Sequence, residues 1–222
     1  AAGRRVAVGG NLGTPMLELL DASVELYVVE LSSFQLELLD DCRGAIVALL
    51  NISPDHMDRY ADINSYRAAK QRIYRGASVA VCNRADLLTH GLHSSGVKQL
   101  SFGLGAPDLG DWGVAEVNGE PYLHCGLEPL LAVHQLPLRG AHNVANALAA
   151  LALGGAAGLE RAAMVSALRA FKGLPHRCEL VAERNGVVYI NDSKATNVGA
   201  AVAALQGLAA TSGGQLILLA GG

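Results

Sequence analysis

A carboxylate, Glu30, ends an apolar run at residues 26–29, and a second apolar run at residues 45–50 also ends in polar residues. Buried parallel strands show this pattern when they deliver a site at their carboxyl ends. A carboxylate in that position is a natural ligand for a hard divalent cation, although a single Glu there is more often only solvated. We therefore expect two buried parallel strands with a site at their ends.

Three ionisable residues, Asp55, His56 and Asp58, follow the second apolar run within four positions. Such a group in a loop after a strand indicates either metal chemistry or a hydrogen-bonded turn, and the residues alone favour neither. Lys70 lies one helical turn beyond Tyr66 in a segment with helical spacing. A lysine on a helix usually lies on an exposed face, so its role depends on what surrounds it.

Glycines flank Asn11 in the segment at residues 9–15, which ends in Pro15 and follows a short predicted strand at residues 6–8. Glycines at this spacing suit a backbone with positive φ or a close approach to a ligand, and Pro15 suits the first turn of a helix reaching about residue 20. A plain turn between a strand and a helix explains the pattern equally well.

Asn143 and Asn146 lie three residues apart near the start of a long Ala/Leu-rich segment. On a helix they share one face near the first turn, where free N–H groups and amide side chains could receive the polar edge of a ligand. Amides near a helix start are also common as caps, so both interpretations stay open.

The remaining elements follow from periodicity and turn residues. Ser32 and Asp62 are predicted helix caps, and Asn118-Gly119 and Asn185-Gly186 are predicted hairpin turns. We predict helices at 62–75, 84–90, 160–171 and 198–208, and a long Ala/Leu helix that opens within residues 136–146. We predict strands at 78–83, 98–103, 178–184, 187–191 and 215–220. The fold class is α/β, with a mostly parallel sheet flanked by helices and a small antiparallel appendage at residues 112–123.

Composition and charge limit which classes of partner and location we expect for this chain. The 222 residues are 51% apolar with a formal charge of −3, which gives no basic field for a nucleic acid, and we expect no nucleic-acid partner. No apolar tract reaches the roughly 20 residues of a membrane span, so we expect no membrane insertion and a cytoplasmic chain. The four cysteines are far apart and form no C-x-x-C pair, so we expect buried, reduced thiols.

Six segments, taken together and in order, resemble the Mur ligases of peptidoglycan synthesis. Their sequences are similar to those of the branch that adds D-glutamate to UDP-N-acetylmuramoyl-L-alanine. The segments are Glu-Leu-Ser-Ser-Phe-Gln-Leu at 30–36, Asp-His-Met-Asp-Arg-Tyr at 55–60, Tyr-Arg-Ala-Ala-Lys at 66–70, Gly-Ala-His-Asn at 140–143, Gly-Leu-Pro-His-Arg at 173–177 and Asn-Asp-Ser-Lys-Ala-Thr-Asn at 191–197. The resemblance covers essentially the whole chain.

The resemblance implies an ATP-dependent ligase that makes an acyl phosphate, which the amine of D-glutamate then attacks. Glu30 and His56 match magnesium ligands, and two Mg²⁺ ions are expected. Lys70 matches a lysine that becomes a carbamate and so gains an oxygen ligand in place of a positive charge. These three are the expected catalytic and metal-binding residues.

The resemblance also assigns the binding of the substrates and the nucleotide. Asn11 and Ser32 match contacts to the muramoyl substrate near its reacting end. The residues that match nucleotide contacts are Asn143, Asn146, Arg177 and Asp192, whereas Lys194 and Thr196 match residues facing the nucleotide and the incoming amino acid. The family further implies a monomer.

Two departures from the family pattern concern the ends of the chain. The phosphate-binding loop Gly-x-x-Gly-Lys-Ser/Thr is absent, as are a uridine-binding domain and the rest of a third domain. We assign residues 1–173 to the central ATP-binding domain and residues 174–222 to the start of a Rossmann-like C-terminal domain that binds the amino acid. Without the loop's lysine and amides, we expect no turnover from these residues alone.

Two rival hypotheses remain. A related ligase such as folylpolyglutamate synthase would act on folate and glutamate rather than on a UDP-muramoyl peptide. A non-catalytic nucleotide-binding module would keep the fold, but it would show no magnesium-dependent stabilisation. A further hypothesis is that the third domain swings about Gly173 and Pro175 to close over the nucleotide.

Overall fold

The computed structural model describes residues 3–91, 96–138, 140–209 and 213–221. Within these residues the chain forms ten strands and five α-helices, with short 3₁₀ turns between some of them. The strands are β1 Val6–Gly10, β2 Leu26–Glu30, β3 Ile46–Leu49, β4 Val79–Asn83, β5 Lys98–Phe102, β6 Trp112–Val117, β7 Glu120–Cys125, β8 Glu128–Ala132, β9 Glu179–Arg184 and β10 Val187–Asn191. The helices are α1 Ser33–Leu38, α2 Ile63–Gln71, α3 Ala141–Ala156, α4 Arg161–Ala170 and α5 Val198–Ala209.

A six-stranded sheet with the order β3-β4-β5-β6-β7-β8 is the centre of the fold. Strands β3 to β6 pair in parallel, and β7 and β8 then add antiparallel strands at one edge. The predicted hairpin at Asn118-Gly119 joins β6 to β7 and is confirmed. Strand β8 was not predicted, because Pro129 and the short length of this segment hide its pattern.

Helix α3 covers one face of this sheet. Leu148 and Leu151 are fully buried, and the alanines between them let the helix lie close to the strands. Together with Leu123, Leu131 and Trp112 they form the larger hydrophobic core. Burial of the α3 face fixes the helix start, and so the positions of Asn143 and Asn146, relative to the sheet.

Helix α2 lies over a second core that includes Val47, Leu49, Tyr66 and Tyr74. Asp62 caps this helix, and its side chain accepts from the N–H of Ser65 as predicted. The same core holds β3 and the helix together, so it fixes the loop after β3 against the last turn of α2.

Some sequence predictions are wrong in detail. Strand β2 pairs with β1 in a separate two-stranded sheet, and Tyr27 and Val28 are exposed, so β2 is not a buried strand. Two strands cannot cover both of their own faces. The segments after Pro15 and after Arg84 form only short 3₁₀ turns, Met16–Leu19 and Leu87–Thr89, rather than α-helices. No strand forms at residues 215–220, where no described strand pairs with them and Leu219 is almost fully exposed.

The last described part contains the predicted hairpin of β9 and β10, which turns at Asn185-Gly186, and the predicted helix α5. Helix α5 contacts α3, and Ala204 and Gly207 are its buried residues. Among the described residues, no helix has the length and apolar character needed to cross a membrane. All four cysteines are unpaired as expected, but only Cys82 is buried, and the other three are partly exposed.

Candidate functional site

The carboxyl end of β2 presents Glu30 next to Asn11. The N–H of Asn11 donates to the carbonyl of Glu30 at 2.7 Å, and its side-chain Nδ2 lies 3.5 Å from Glu30 Oε1. Gly10 lies opposite Glu30 in the parallel ladder with φ of 109°, and a Cβ there would lie 2.3 Å from the Glu30 carbonyl oxygen. Glycine is therefore required at position 10, and it lets the segment containing Asn11 pass close to Glu30.

Ser32 begins α1, and its hydroxyl takes part in a capping box with Gln35. The Oγ of Ser32 accepts from the N–H of Gln35 at 3.3 Å, while the N–H of Ser32 donates to Gln35 Oε1 at 2.9 Å. Ser32 is thus held two residues after Glu30. Its predicted role as a substrate contact stays a prediction.

The loop after β3 places His56 against an aromatic wall formed by Phe34, Tyr60 and Tyr66. The ring centroids of His56 and Phe34 are 4.9 Å apart, and those of His56 and Tyr66 are 6.4 Å apart. The Phe34 and Tyr60 rings are stacked at 6.1 Å. The His56 backbone has φ of 54°, a conformation that few residues other than glycine adopt. The wall fixes the direction of the imidazole.

Lys70 lies in the last turn of α2 and is partly buried, with its Nζ 5.1 Å from the centroid of the Tyr66 ring. Burial lowers the pKa of Lys70, while the nearby carboxylates of Asp55 and Glu30 act in the opposite direction. Lys70 is therefore within electrostatic range of two carboxylates on two other segments. The structure thus places Lys70 near Glu30 and near the loop that carries Asp55 and His56, and the roles of these residues stay predictions.

Asp55 holds two parts of the chain together at this site. Its Oδ1 accepts from the N–H of His56 at 2.9 Å, and its Oδ2 accepts from Nδ2 of Asn197 at 3.2 Å. The residues at 55 and 197 are 142 positions apart in sequence. Asp58, the third ionisable residue of the loop, is exposed.

Glu30 and His56 could supply part of the coordination shell of a hard divalent cation, with other ligands completing it. Among the described residues, no three His, Cys, Asp or Glu side chains are grouped closely enough to hold a metal ion by themselves. Magnesium in phosphoryl-transfer sites is usually held by one or two carboxylates, with substrate oxygens and waters filling the other positions. The accessible carboxylate of Glu30 and the imidazole of His56 are compatible with that kind of site.

A second group of predicted residues lies where α3, α5 and the β9–β10 hairpin meet. Asn143 and Asn146 are in the first turns of α3, which starts after Gly140. The imidazole of His142, next to Asn143, lies 4.0 Å from Cys178 Sγ, and the N–H of Cys178 donates to Asp192 Oδ1 at 3.0 Å. Burial lowers the pKa of His142, and the Asp192 carboxylate partly offsets this.

The other predicted residues flank this second group. The N–H of Lys194 donates to the carbonyl of His176 at 3.0 Å, which places Lys194 beside Arg177, and both side chains are exposed. The N–H of Thr196 donates to the Lys194 carbonyl at 2.9 Å. Thr196 precedes Asn197, so this loop continues directly into the contact with Asp55. The nucleotide-binding and substrate-binding roles of these residues stay predictions.

Sequence reasoning missed several residues that organise the site. The motifs contain Phe34, Tyr60 and Tyr66 but do not show that these three rings build the wall behind His56. Arg72 donates to three carbonyl oxygens at the end of α1. Nothing in the spacing indicates that contact, because guanidinium-to-carbonyl bonds across 33 to 36 residues leave no periodic pattern.

Comparisons with known proteins identify the relatives of this chain. Residues 11–154 match the Mur ligase middle domain family. The UDP-N-acetylmuramoylalanine--D-glutamate ligase of Pseudomonas syringae pv. tomato is 58% identical over 222 residues, which are all of this chain and 50% of that protein. The proteins of the same name from Pseudomonas aeruginosa and Nitrosococcus oceani are each 56% identical over the same length. The chain spans about half the length of these curated relatives.

Solved structures share the fold at lower identity. The crystal structure of MurF from Acinetobacter baumannii has a TM-score of 0.72 at 24% identity, and it covers 94% of this chain and 49% of that one. MurC from Thermotoga maritima has a TM-score of 0.60 at 20% identity, with coverage of 93% and 54%. With the family match over residues 11–154 and the identity to the relatives over the whole length, the chain belongs to the Mur ligase family.

Proposed function

We propose that this chain is the ATP-binding centre, and the start of the following domain, of a ligase that joins D-glutamate to UDP-N-acetylmuramoyl-L-alanine. The relatives that carry this activity in their name are 56–58% identical over all or nearly all of the chain. The observation that carries the proposal is the convergence of Glu30, the His56 loop and Lys70 from three separate segments. The product would be a precursor of peptidoglycan.

The reaction would have two steps. First, an oxygen of the L-alanyl carboxylate attacks the γ-phosphorus of ATP, the bond to the β–γ bridging oxygen breaks, and ADP leaves. Second, the amine of D-glutamate attacks the carbonyl carbon of the acyl phosphate. The tetrahedral intermediate then expels inorganic phosphate, and the amine loses a proton. Attack of one anion on another needs positive charge at the transferring group.

Lys70 would serve this chemistry as a carbamate. Its neutral amine adds to CO₂, which forms an N–C bond and releases one proton, and the side chain then carries a carboxylate-like group. The partly buried position favours a neutral amine over an ammonium ion, and burial accordingly lowers the pKa of Lys70.

Magnesium would be held by Glu30, His56 and the carbamate of Lys70, with phosphate oxygens and waters as further ligands, and two ions are expected from the family. When bound, magnesium offsets the negative charge of the transferring phosphate. The chain's own contribution is to fix its ligands. The aromatic wall holds the imidazole of His56, and the segment containing Asn11 lies close to Glu30.

The second group of residues would bind the nucleotide. Asn143 and Asn146 offer side-chain amides in the first turns of α3, where the adenine edge could be received. Asp192 could accept from ribose hydroxyls, and the exposed Arg177 could pair with phosphate. Asn11 and Ser32 would contact the muramoyl substrate, and Lys194 and Thr196 the incoming amino acid.

We further propose the domain division at residues 1–173 and 174–222, a monomeric state and a cytoplasmic location.

The experiment is phosphate release by the full-length ligase. We expect release only when ATP, Mg²⁺, UDP-N-acetylmuramoyl-L-alanine and D-glutamate are all present. Lys70→Ala and Glu30→Gln should each lower kcat by at least about a hundredfold, the size expected when a group that stabilises transition-state charge is removed. Lys98→Ala, which changes an exposed lysine on β5, is the matched control and should leave kcat unchanged. Release with folate and glutamate instead would support the related ligase.

The carbamate has its own test. The protein is equilibrated with ¹³C-labelled bicarbonate, and a carbamate carbon resonance is sought by NMR. The signal should be present in the wild type and in Lys98→Ala and absent in Lys70→Ala. A wild-type protein that is active yet shows no such resonance contradicts the carbamate while leaving the ligase activity in place.

A further inference from the structure

The side-chain oxygens of Asp55 connect two parts of the chain that are distant in sequence. One oxygen accepts the backbone N–H of His56 at 2.9 Å, and the other accepts the side-chain amide of Asn197 at 3.2 Å. Both acceptor atoms of a partly buried carboxylate are therefore used, one by the loop at the candidate site and one by the segment before α5.

Asn197 is held in place by hydrogen bonds at the start of α5. Its Oδ1 accepts from the N–H of Ala200 at 2.8 Å, and its carbonyl accepts from the N–H of Ala201 at 3.1 Å, which is the bonding of a helix N-cap. The amide oxygen thus caps α5, and the amide nitrogen is left to bond Asp55. A second close approach lies beside it, because a Cβ on Gly199 would be 3.0 Å from Oγ of Ser53.

The loop that receives this contact has an unfavourable backbone. His56 has φ of 54°, and the N–H groups of Arg59 and Tyr60 both donate to its carbonyl at 3.0 Å. A residue in this region persists only where its surroundings hold it. The hydrogen bond from His56 to Asp55 is one such restraint, and it depends on the orientation of the Asp55 carboxylate.

We propose that Asn197 is a positioning residue for the ligase reaction, because its bond to Asp55 locks the His56 loop when α5 is docked on the central domain. We call this Asp55–Asn197 pair the latch. The inference rests on the proposed function, and it adds that the docked position of α5 controls the geometry of a residue that would bind magnesium.

The chain offers a substitution that isolates the latch. Asn197→Asp keeps the Oδ1 acceptor and so keeps the N-cap, but it replaces the donor with a second acceptor facing Asp55. The double variant Asp55→Asn with Asn197→Asp exchanges donor and acceptor and restores the bond. Asn185→Asp makes the same chemical change at a hairpin turn where φ is 52° and serves as the matched control.

The first measurement is amide hydrogen exchange at residues 56–60 of the full-length ligase. In Asn197→Asp the exchange of these amides should be faster by about tenfold or more, the factor that corresponds to losing one hydrogen bond to a charged group. The double variant should return to the wild-type rate, and Asn185→Asp should not differ from it. Unchanged exchange in Asn197→Asp would overturn the latch.

The second measurement separates kcat from KM. Asn197→Asp should lower kcat about tenfold with little change in the KM for ATP, because a misplaced ligand loop affects the transition state more than nucleotide binding. Faster exchange with an unchanged kcat would overturn the positioning role. A wild-type protein without ligase activity would refute the proposed function instead, and the exchange rates would still decide whether the latch exists.

Discussion

The guanidinium of Arg72 donates from Nε to the carbonyl oxygen of Leu36 at 2.7 Å and so closes the carboxyl end of α1. Its Nη2 also donates to the carbonyls of Glu37 at 3.1 Å and Leu39 at 2.7 Å. The last carbonyls of a helix have no partner within the helix, and a cation there also favours the helix dipole. Arg72 follows Lys70 by two residues, so one side chain ties the helix after Glu30 to the helix that carries Lys70.

Arg72→Met should therefore lower the free energy of unfolding by about 2–3 kcal/mol, because partly buried carbonyls lose charged donors while the alkyl packing is kept. Urea unfolding followed by circular dichroism measures this loss. Arg75→Met removes a neighbouring arginine whose side chain is exposed, and it should change the stability by less than about 0.5 kcal/mol. Equal losses in the two variants would show that Arg72 holds nothing specific.

Alanine substitutions at Gly10 and Gly13 can separate two effects on stability, the steric clash with the Glu30 carbonyl and the strain of a positive φ. Both have positive φ, at 109° and 74°, but a Cβ at Gly13 meets nothing within 4 Å, whereas one at Gly10 would lie 2.3 Å from a carbonyl oxygen. Gly13→Ala should cost about 1 kcal/mol from strain alone. Gly10→Ala should cost about 2–4 kcal/mol, since overpacking adds to the strain. Similar losses, measured by urea unfolding, would argue against the close approach.

The local parts of this fold were predictable from sequence. The caps at Ser32 and Asp62 and the turn at Asn118-Gly119 depend on a few adjacent residues, and the structure has all three. Strand pairing was less predictable, because the apolar run of β2 does not indicate which strand it pairs with or whether one of its faces stays exposed to solvent. The apolar run at 215–220 shows the same limit, since a strand needs a partner as well as a pattern.

The candidate site was predictable in its residue types and not in its geometry. Glu30, His56 and Lys70 were identified as candidate site residues from the sequence motifs that contain them, and the structure places their segments near one another. The bond between Asp55 and Asn197 spans 142 residues and could not be read from spacing. The same holds for His142, whose ring is approached by Gly207 of α5 and by Cys178 before β9 as well as by Gly140 at the start of its own helix.

Gly207 on α5 lies against the imidazole of His142. A Cβ there would be 2.5 Å from Nδ1 and 2.7 Å from Cε1, and Gly140 approaches the ring as well, with its Cβ position 2.9 Å from Cε1. Alanine in place of glycine inside a helix normally stabilises it by about 1 kcal/mol. Here we expect Gly207→Ala to destabilise by about 1–3 kcal/mol, because the ring has little room to move.

A double-mutant cycle tests whether the imidazole is the cause. Replacing His142 by Ala in the Gly207→Ala background should remove most of the penalty, so the two substitutions should couple by about 1 kcal/mol or more. If the losses in the free energy of unfolding from the two substitutions are additive, the imidazole is not the group that clashes with the new Cβ.

His142 also predicts a pH dependence of stability. Burial lowers its pKa below the ordinary value of about 6.5, and the Asp192 carboxylate offsets part of this. Cys178, which also faces the ring, has its pKa raised by burial and stays protonated over this range. The unfolded chain therefore binds a proton at His142 before the folded chain does. The stability associated with this residue is complete above about pH 6.5 and is lost as the pH falls through the lowered pKa.

We accordingly expect wild-type protein to lose more stability between pH 7 and pH 5 than His142→Gln, which has no titrating ring. Urea unfolding at a series of pH values measures the difference. Asp192→Asn, whose Oδ1 can still accept from the N–H of Cys178, should steepen the loss, because the carboxylate that favours the charged imidazole is gone. Parallel pH profiles for wild type and His142→Gln would mean that this imidazole stays as accessible to protons after folding as before it.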